Sequence, residues 1–150
     1  MFRKLSFKIL LLALTVFGGH TAVAQAQWLS VAGDAVDPAV DTVQVDPVTF
    51  NRAGALRTVR IRVSRALERK SWDGEVYRSY SAEVLIDCGA RTGRYLSIEF
   101  FAQPVWQGEP HGKTFYSQRE IRPMLFRDMD PNPTQRLIRA ACQTENVRAK

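Results

Sequence analysis

Between residues 59 and 101 apolar and polar side chains alternate with a period of two, the signature of strands with one buried face. Val59, Ile61 and Val63 alternate with Arg60, Arg62 and Ser64. The next run, 76–88, sets Val76, Tyr80, Ala82, Val84, Ile86 and Cys88 on one face and Tyr77, Ser79, Ser81, Glu83 and Asp87 on the other, with Leu85 as the exception. Between these runs lies Ser71-Trp72-Asp73-Gly74, where Asp-Gly signals a hairpin turn. A third run from Arg94 sends Leu96, Ile98 and Phe100 one way and Tyr95, Ser97, Glu99 and Phe101 the other, joined to the second by Gly89-Ala90-Arg91-Thr92-Gly93. The pattern predicts a three-strand antiparallel meander. Shorter candidates at 28–31, 40–45 and 113–119, with a turn around Asn51-Arg52-Ala53-Gly54, bring the expected sheet to five or six strands.

The period changes near the C-terminal end. Asn132-Pro133-Thr134-Gln135 places a capping residue, proline at the first helical position and glutamine three after the cap, which opens a helix. Leu137, Ile138, Ala141 and Cys142 then fall on one stripe, with Arg136, Arg139 and Gln143 opposite. A helix of about ten residues is marginal alone and needs a surface to dock on. The fold class expected is α+β: an antiparallel sheet with one C-terminal helix packed on one face.

Composition enters through the first 26 residues. Arg3, Lys4 and Lys8 precede the apolar run Ile9-Leu10-Leu11-Leu12-Ala13-Leu14-Thr15-Val16-Phe17, and small residues end in Ala22-Val23-Ala24-Gln25-Ala26. That order is a secretory signal peptide, 1–26, cleaved after Ala26 or, by the same small-residue rule, after Ala24. The apolar run is about half of the roughly 20 residues a membrane-spanning helix needs. No cysteine near the cleavage site offers a lipid anchor. Removing 26 of the 150 residues leaves 124, residues 27–150, enough for one domain. The net charge of +6 drops to +3 because the leader carries three basic and no acidic residues. So small an excess points away from nucleic acid. The protein is expected to be exported, to the periplasm or to the cell surface and medium.

Export makes the cysteine count informative. Cys88 and Cys142 are the two cysteines, and an even number in an oxidising compartment reads as a disulfide rather than a metal site or a reactive thiol. The loop it closes spans 54 positions, worth roughly 4 kcal/mol on the chain-entropy model. Since Cys88 shares a face with Val84 and Ile86, the bond ties the helix to that face. Of the two histidines, His20 lies in the leader and His111 sits in Gln107-Gly108-Glu109-Pro110-His111-Gly112, a loop tip. Glycine-rich phosphate loops are absent, the glycines standing singly apart from Gly18-Gly19. No catalytic residue, metal site or cofactor is expected.

Taken in order, these residues resemble the surface-adhesin protein E family of small secreted bacterial proteins. The resemblance is carried by Trp28, Val45-Asp46-Pro47, Arg52-Ala53-Gly54, Gly74-Glu75-Val76-Tyr77-Arg78-Ser79, Ile86-Asp87-Cys88, Arg94-Tyr95, Ile121-Arg122-Pro123 and the terminal helix with Cys142. It implies an antiparallel sheet with one helix packed on it, the two cysteines bonded, and, for some members, adhesion to host proteins. Two features depart from the family pattern: the missing lipid-anchor cysteine, and Met129-Asp130-Pro131-Asn132-Pro133 in place of a smaller glycine- and serine-bearing turn.

With the helix on the apolar face, the opposite face is expected to be free, with Arg60, Arg62, Tyr77, Tyr95 and Phe101 as the candidate interaction surface. Aromatic residues among charges of both signs are a contact-surface composition. This favours a non-catalytic binding protein, adhesin-like, whose partner is a host extracellular or bacterial envelope protein, or a second copy of the chain through that face or an edge strand. An alternative is a periplasmic binder of a small or anionic envelope ligand using Arg57, Arg60, Arg62, Arg65 and Arg78, since arginine forks suit carboxylate and phosphate. A third reading is a hydrolase using Glu83 and Glu99, which would need the two carboxyl groups in a cleft roughly 5–9.5 Å apart.

Overall fold

The computed structural model describes residues 28–46, 48 and 51–143; the leader expected over 1–26 lies outside them. The described residues form an eight-stranded sheet, β1 (Leu29–Ala32), β2 (Thr42–Val45), β3 (Asn51–Ala53), β4 (Leu56–Lys70), β5 (Val76–Asp87), β6 (Thr92–Phe101), β7 (Gly112–Phe115) and β8 (Arg122–Pro123), followed by the helix α1 (Thr134–Gln143). The three long strands are the expected meander. The count exceeds five or six because two very short pairings are added: β3, read from the sequence as part of a turn, pairs with β4, and β8 pairs with β6. Along the sheet the order is β1-β2-β4-β5-β6-β7, all antiparallel. Strands of two or three residues carry too little periodicity to be read from one sequence.

The inner face is built as the alternation demands. Val43 and Val45 pair with Val63 and Ile61, and Ile61 and Val59 face Ala82 and Val84 across the next ladder. All six are buried. The helix packs on β1, β2 and β4, so it covers one half of this face. Asn132 caps it, its side-chain oxygen accepting from the Thr134 N–H at 2.9 Å while its amide donates to the carbonyls of Leu125 and Phe126. Leu137, Ile138 and Ala141 are buried as expected. Burying each of the larger two is worth about 1.5–3 kcal/mol.

The other half of the inner face is covered by the segment leading into the helix, through buried Met124, Phe126 and Met129. Met124 donates its N–H to the carbonyl of Gly93. A side chain at Gly93 would put its Cβ 2.8 Å from the Met124 methyl, so the end of that methionine would have to move aside. Cys88 and Cys142 are bonded, with Cα atoms 5.8 Å apart, closing the helix onto the end of β5.

Besides a shift between β1 and β2 at Ser30 to Ala32, two register shifts in the meander depart from regular alternation. Between β4 and β5 the pairing passes from Ser64 with Ser79 to Arg69 with Tyr77, and between β5 and β6 from Glu83 with Ser97 to Val84 with Tyr95. A bulge inserts residues into one strand and reverses which face the following side chains occupy. These two shifts decide where the candidate residues go.

Candidate functional site

On the outer face Arg62 is clamped between two indoles. Its guanidinium carbon lies 4.4 Å from the Trp28 ring centre and 4.0 Å from that of Trp106. Its Nε donates to Gln44 at 2.6 Å, and Gln44 donates in turn to Ser30 at 2.7 Å, so β1 and β2 orient the arginine on β4. Partial burial lowers the Arg62 pKa from the usual arginine value, yet arginine starts so high that the charge persists at neutral pH. Arg60, next along this face, pairs at 2.9 Å with Asp46, which is almost fully buried.

Trp106 is held there by a turn that reaches across from the end of β6. Pro104, Val105 and Trp106 form one tight turn in which Val105 (φ 47°) and Trp106 (φ 58°) both adopt left-handed backbone. Such residues cost roughly 1–2 kcal/mol each outside glycine. Hydrogen bonds offset that cost: Val105 N–H to Ser64 Oγ at 2.9 Å, Trp106 N–H to Ser79 Oγ at 3.1 Å, and the indole N–H to the carbonyls of Val63 and Tyr80 at 3.2 and 3.1 Å. Ser79 Oγ donates to the Gln103 carbonyl at 2.6 Å. Trp28, Arg62 and Trp106 line a shallow groove of about 310 Å³ together with Glu83, Glu99 and Lys113. Glu83 is exposed and Glu99 stands 3.7 Å from the Lys113 ammonium, so the two acids of the hydrolase reading share an open, wet groove.

Of the five residues expected on this face, Arg60, Arg62 and Phe101 are placed there, Phe101 by its pairing with Ser79. Tyr77 and Tyr95 are not: both are turned to the inner face by the register shifts. Tyr95 is buried, its hydroxyl 2.8 Å from that of Tyr80, and Tyr77 packs on Tyr80 and Phe100. Sequence reasoning missed Trp106 altogether and took Trp28 only as a family marker. The one local signal was an exposed-loop tryptophan after proline; what fixes it, Ser64 and Ser79, lies 42 and 27 positions away by chain.

The two displaced tyrosines line a cleft of about 490 Å³ between the inner face and residues 122–128. Trp72, from the β4–β5 hairpin turn, stands over Tyr95 and Tyr116 with ring centres 5.9 and 6.3 Å apart. Arg65 lies in its wall and pairs with Asp41 at 3.0 Å and Asp128 at 2.9 Å. Burial alone would lower the Arg65 pKa, but the bond to Asp128 and the charges of Asp128 and Asp41 outweigh it and raise it. Burial pushes the phenols of Tyr77, Tyr80 and Tyr95 up, so they stay protonated donors.

The five arginines of the anion-binding alternative do not converge. Arg57 donates to the carbonyls of Gly54 and Leu56, and Arg78 to those of Pro38, Arg65 and Ala66. His111 lies just before β7 with its Nε2 3.7 Å from Glu75.

A family model described as surface-adhesin protein E matches residues 28–143, from Trp28 in the clamp to the end of the helix. The chain belongs to the surface-adhesin protein E family. No curated protein and no solved structure matches it. As a surface-adhesin E protein it falls in a class that points to binding at a surface rather than to catalysis. The surface-adhesin E match takes in both the outer groove and the inner cleft, and no helix among the described residues is long and apolar enough to cross a membrane.

Proposed function

We propose that this protein is exported and acts as a non-catalytic, adhesin-like binding module, engaging a host extracellular or bacterial envelope protein through the outer sheet face around Trp28, Arg62 and Trp106. The observation that carries this reading is the left-handed Val105–Trp106 turn, which holds an indole on the face against Arg62. Strained backbone persists where the surroundings over-determine it, and it clusters at functional sites. Tryptophan and arginine are the residue types that dominate protein interfaces energetically. Here they are pre-oriented, so little side-chain freedom remains to be lost on binding. The adhesin family supports the binding class, and the leader at 1–26 supports export.

The test is capture of extracellular-matrix proteins and of solubilised envelope proteins on the immobilised, oxidised protein, comparing wild type with Trp106→Ala and Arg62→Ala. Either substitution is expected to weaken capture by tenfold or more, about 1.4 kcal/mol, in protein that keeps its native circular dichroism. Capture that is indifferent to both substitutions refutes the assignment of the outer face. Light scattering on the same variants separates a second copy of the chain from a foreign partner, because self-association lost in Trp106→Ala identifies the occupant of the face as another protomer.

A further inference from the structure

The inner cleft lies on the side of the sheet opposite the Trp28–Arg62–Trp106 groove, and nothing in the adhesin reading uses it. Its volume of about 490 Å³ falls within the range of small-molecule sites. The floor is aromatic, formed by Tyr77, Tyr80 and Tyr95, and Trp72 stands beside it with half its surface exposed. The charge around this apolar floor leans positive: Arg65, Lys70, Arg122 and Arg127 line the cleft with one acid, Asp128, while Asp41 and Glu120 pair with Arg65 and Arg122 from outside the lining.

Two of these cations have donors that the protein leaves unused. Arg65 is 97% buried, and while its terminal nitrogens serve Asp41 and Asp128, its Nε–H has no acceptor among the described residues. Arg122 lies over the rings of Trp72 and Tyr116 at 5.8 and 5.9 Å and pairs with Glu120, and its buried Nε–H is likewise without an acceptor. A buried unsatisfied donor costs about 1–3 kcal/mol, more when charged, and native proteins hold few of them. Two at one aromatic cleft with surplus positive charge call for an acceptor that is anionic and is brought in on an apolar body.

We propose that this cleft binds a small organic anion, a carboxylate, sulfonate or phosphate group carried on a flat apolar body of one or two rings. The rings would lie on Tyr77, Tyr95 and Trp72, and the anionic group would take the unused guanidinium donors in charge-assisted hydrogen bonds. Lys70 and Arg127 hold the mouth positive, neither having an ion-pair partner among the described residues, and their contribution is screened by salt.

Fluorescence titration of the oxidised protein with anilinonaphthalene sulfonate, and with the uncharged phenylnaphthylamine as a body-matched control, tests this. The sulfonate is expected to bind saturably, one per chain, and about tenfold or more tighter than the neutral probe. Lys70→Glu with Arg127→Glu, both at the mouth, should reduce sulfonate affinity about tenfold and leave the neutral probe within twofold. Arg122→Lys, which keeps the charge and removes the Nε donor, should weaken the sulfonate several-fold, and Trp106→Ala on the outer face should leave it unchanged. Equal affinity for the two probes, indifference to the mouth variants, or loss of binding in Trp106→Ala would each overturn the proposal. Its failure leaves the outer-face reading standing, because the two are probed by variants on opposite faces.

Discussion

At Arg62 the positive charge is flanked by indole faces whose quadrupole attracts it, a contact worth about 0.5–1 kcal/mol when exposed and up to about 2 when desolvated. The residue that makes this arrangement possible is Ser79, fully buried and bonded both to Gln103 and to the backbone of Trp106. Ser79→Ala strands a carbonyl and an N–H at once, and is expected to cost about 1–3 kcal/mol by urea unfolding and to loosen Trp106, seen as a red shift in tryptophan emission. A loss within a few tenths of a kcal/mol would show that the turn holds itself. The Ser79 hydroxyl was visible in the sequence only as one polar position in an alternating strand.

The strands and the helix illustrate what local pattern does and does not carry. Val59, Ile61 and Val63 read inward and are buried; the stripe of Leu137, Ile138 and Ala141 reads inward and is buried. Tyr95 reads outward by strict alternation from Ile98, yet the bulge at Leu96 turns it in, because one extra residue reverses the phase of everything before it. Tyr77 lies beyond a different irregularity, where residues 65–68 of β4 stand opposite Arg78 alone, and it too packs inward on Tyr80 and Phe100. A sequence window that contains adjacent apolar residues, such as Tyr95-Leu96, is where such a slip is permitted, but only the partner strand decides that it happens. At this scale the disulfide matters most. The double substitution Cys88→Ser with Cys142→Ser reopens a loop of 54 positions. It is expected to lower stability by about 4 kcal/mol on the chain-entropy model, measured by denaturant unfolding. A change under about 1 kcal/mol would mean that the helix docks by its apolar stripe alone.

Across the whole molecule the four tyrosines share one response to pH. Burial raises the pKa of Tyr77, Tyr80 and Tyr95, and burial with the bond from the Tyr116 hydroxyl to Asp73 raises that of Tyr116. The folded values exceed the unfolded value near 10, so the folded state holds its phenolic protons more tightly. Their contribution is fully present below about pH 10 and is lost as pH rises above it. Stability should therefore fall steeply on the alkaline side. Tyrosinate absorbance should rise together with the loss of near-ultraviolet circular dichroism rather than before it. Appreciable tyrosinate at pH 10 in protein that retains its native dichroism would contradict the buried placement of these rings.

The meander of the three long strands, the helix with its cap, the pairing of Cys88 with Cys142 and the family were all legible in the sequence, because each rests on local periodicity, capping chemistry or residue types in a fixed order. Which aromatic residues face which way was not. It depends on register shifts set between strands, on a Pro104–Trp106 turn fixed by Ser64 and Ser79 from distant positions, and on the segment at 122–128 that roofs half of the inner face. The expected outer surface of Arg60, Arg62, Tyr77, Tyr95 and Phe101 thereby became two places: a tryptophan-clamped arginine outside, and a tyrosine-floored, basic cleft inside. Side-chain chemistry was written along the chain, and the packing of its strands divided it between the two faces.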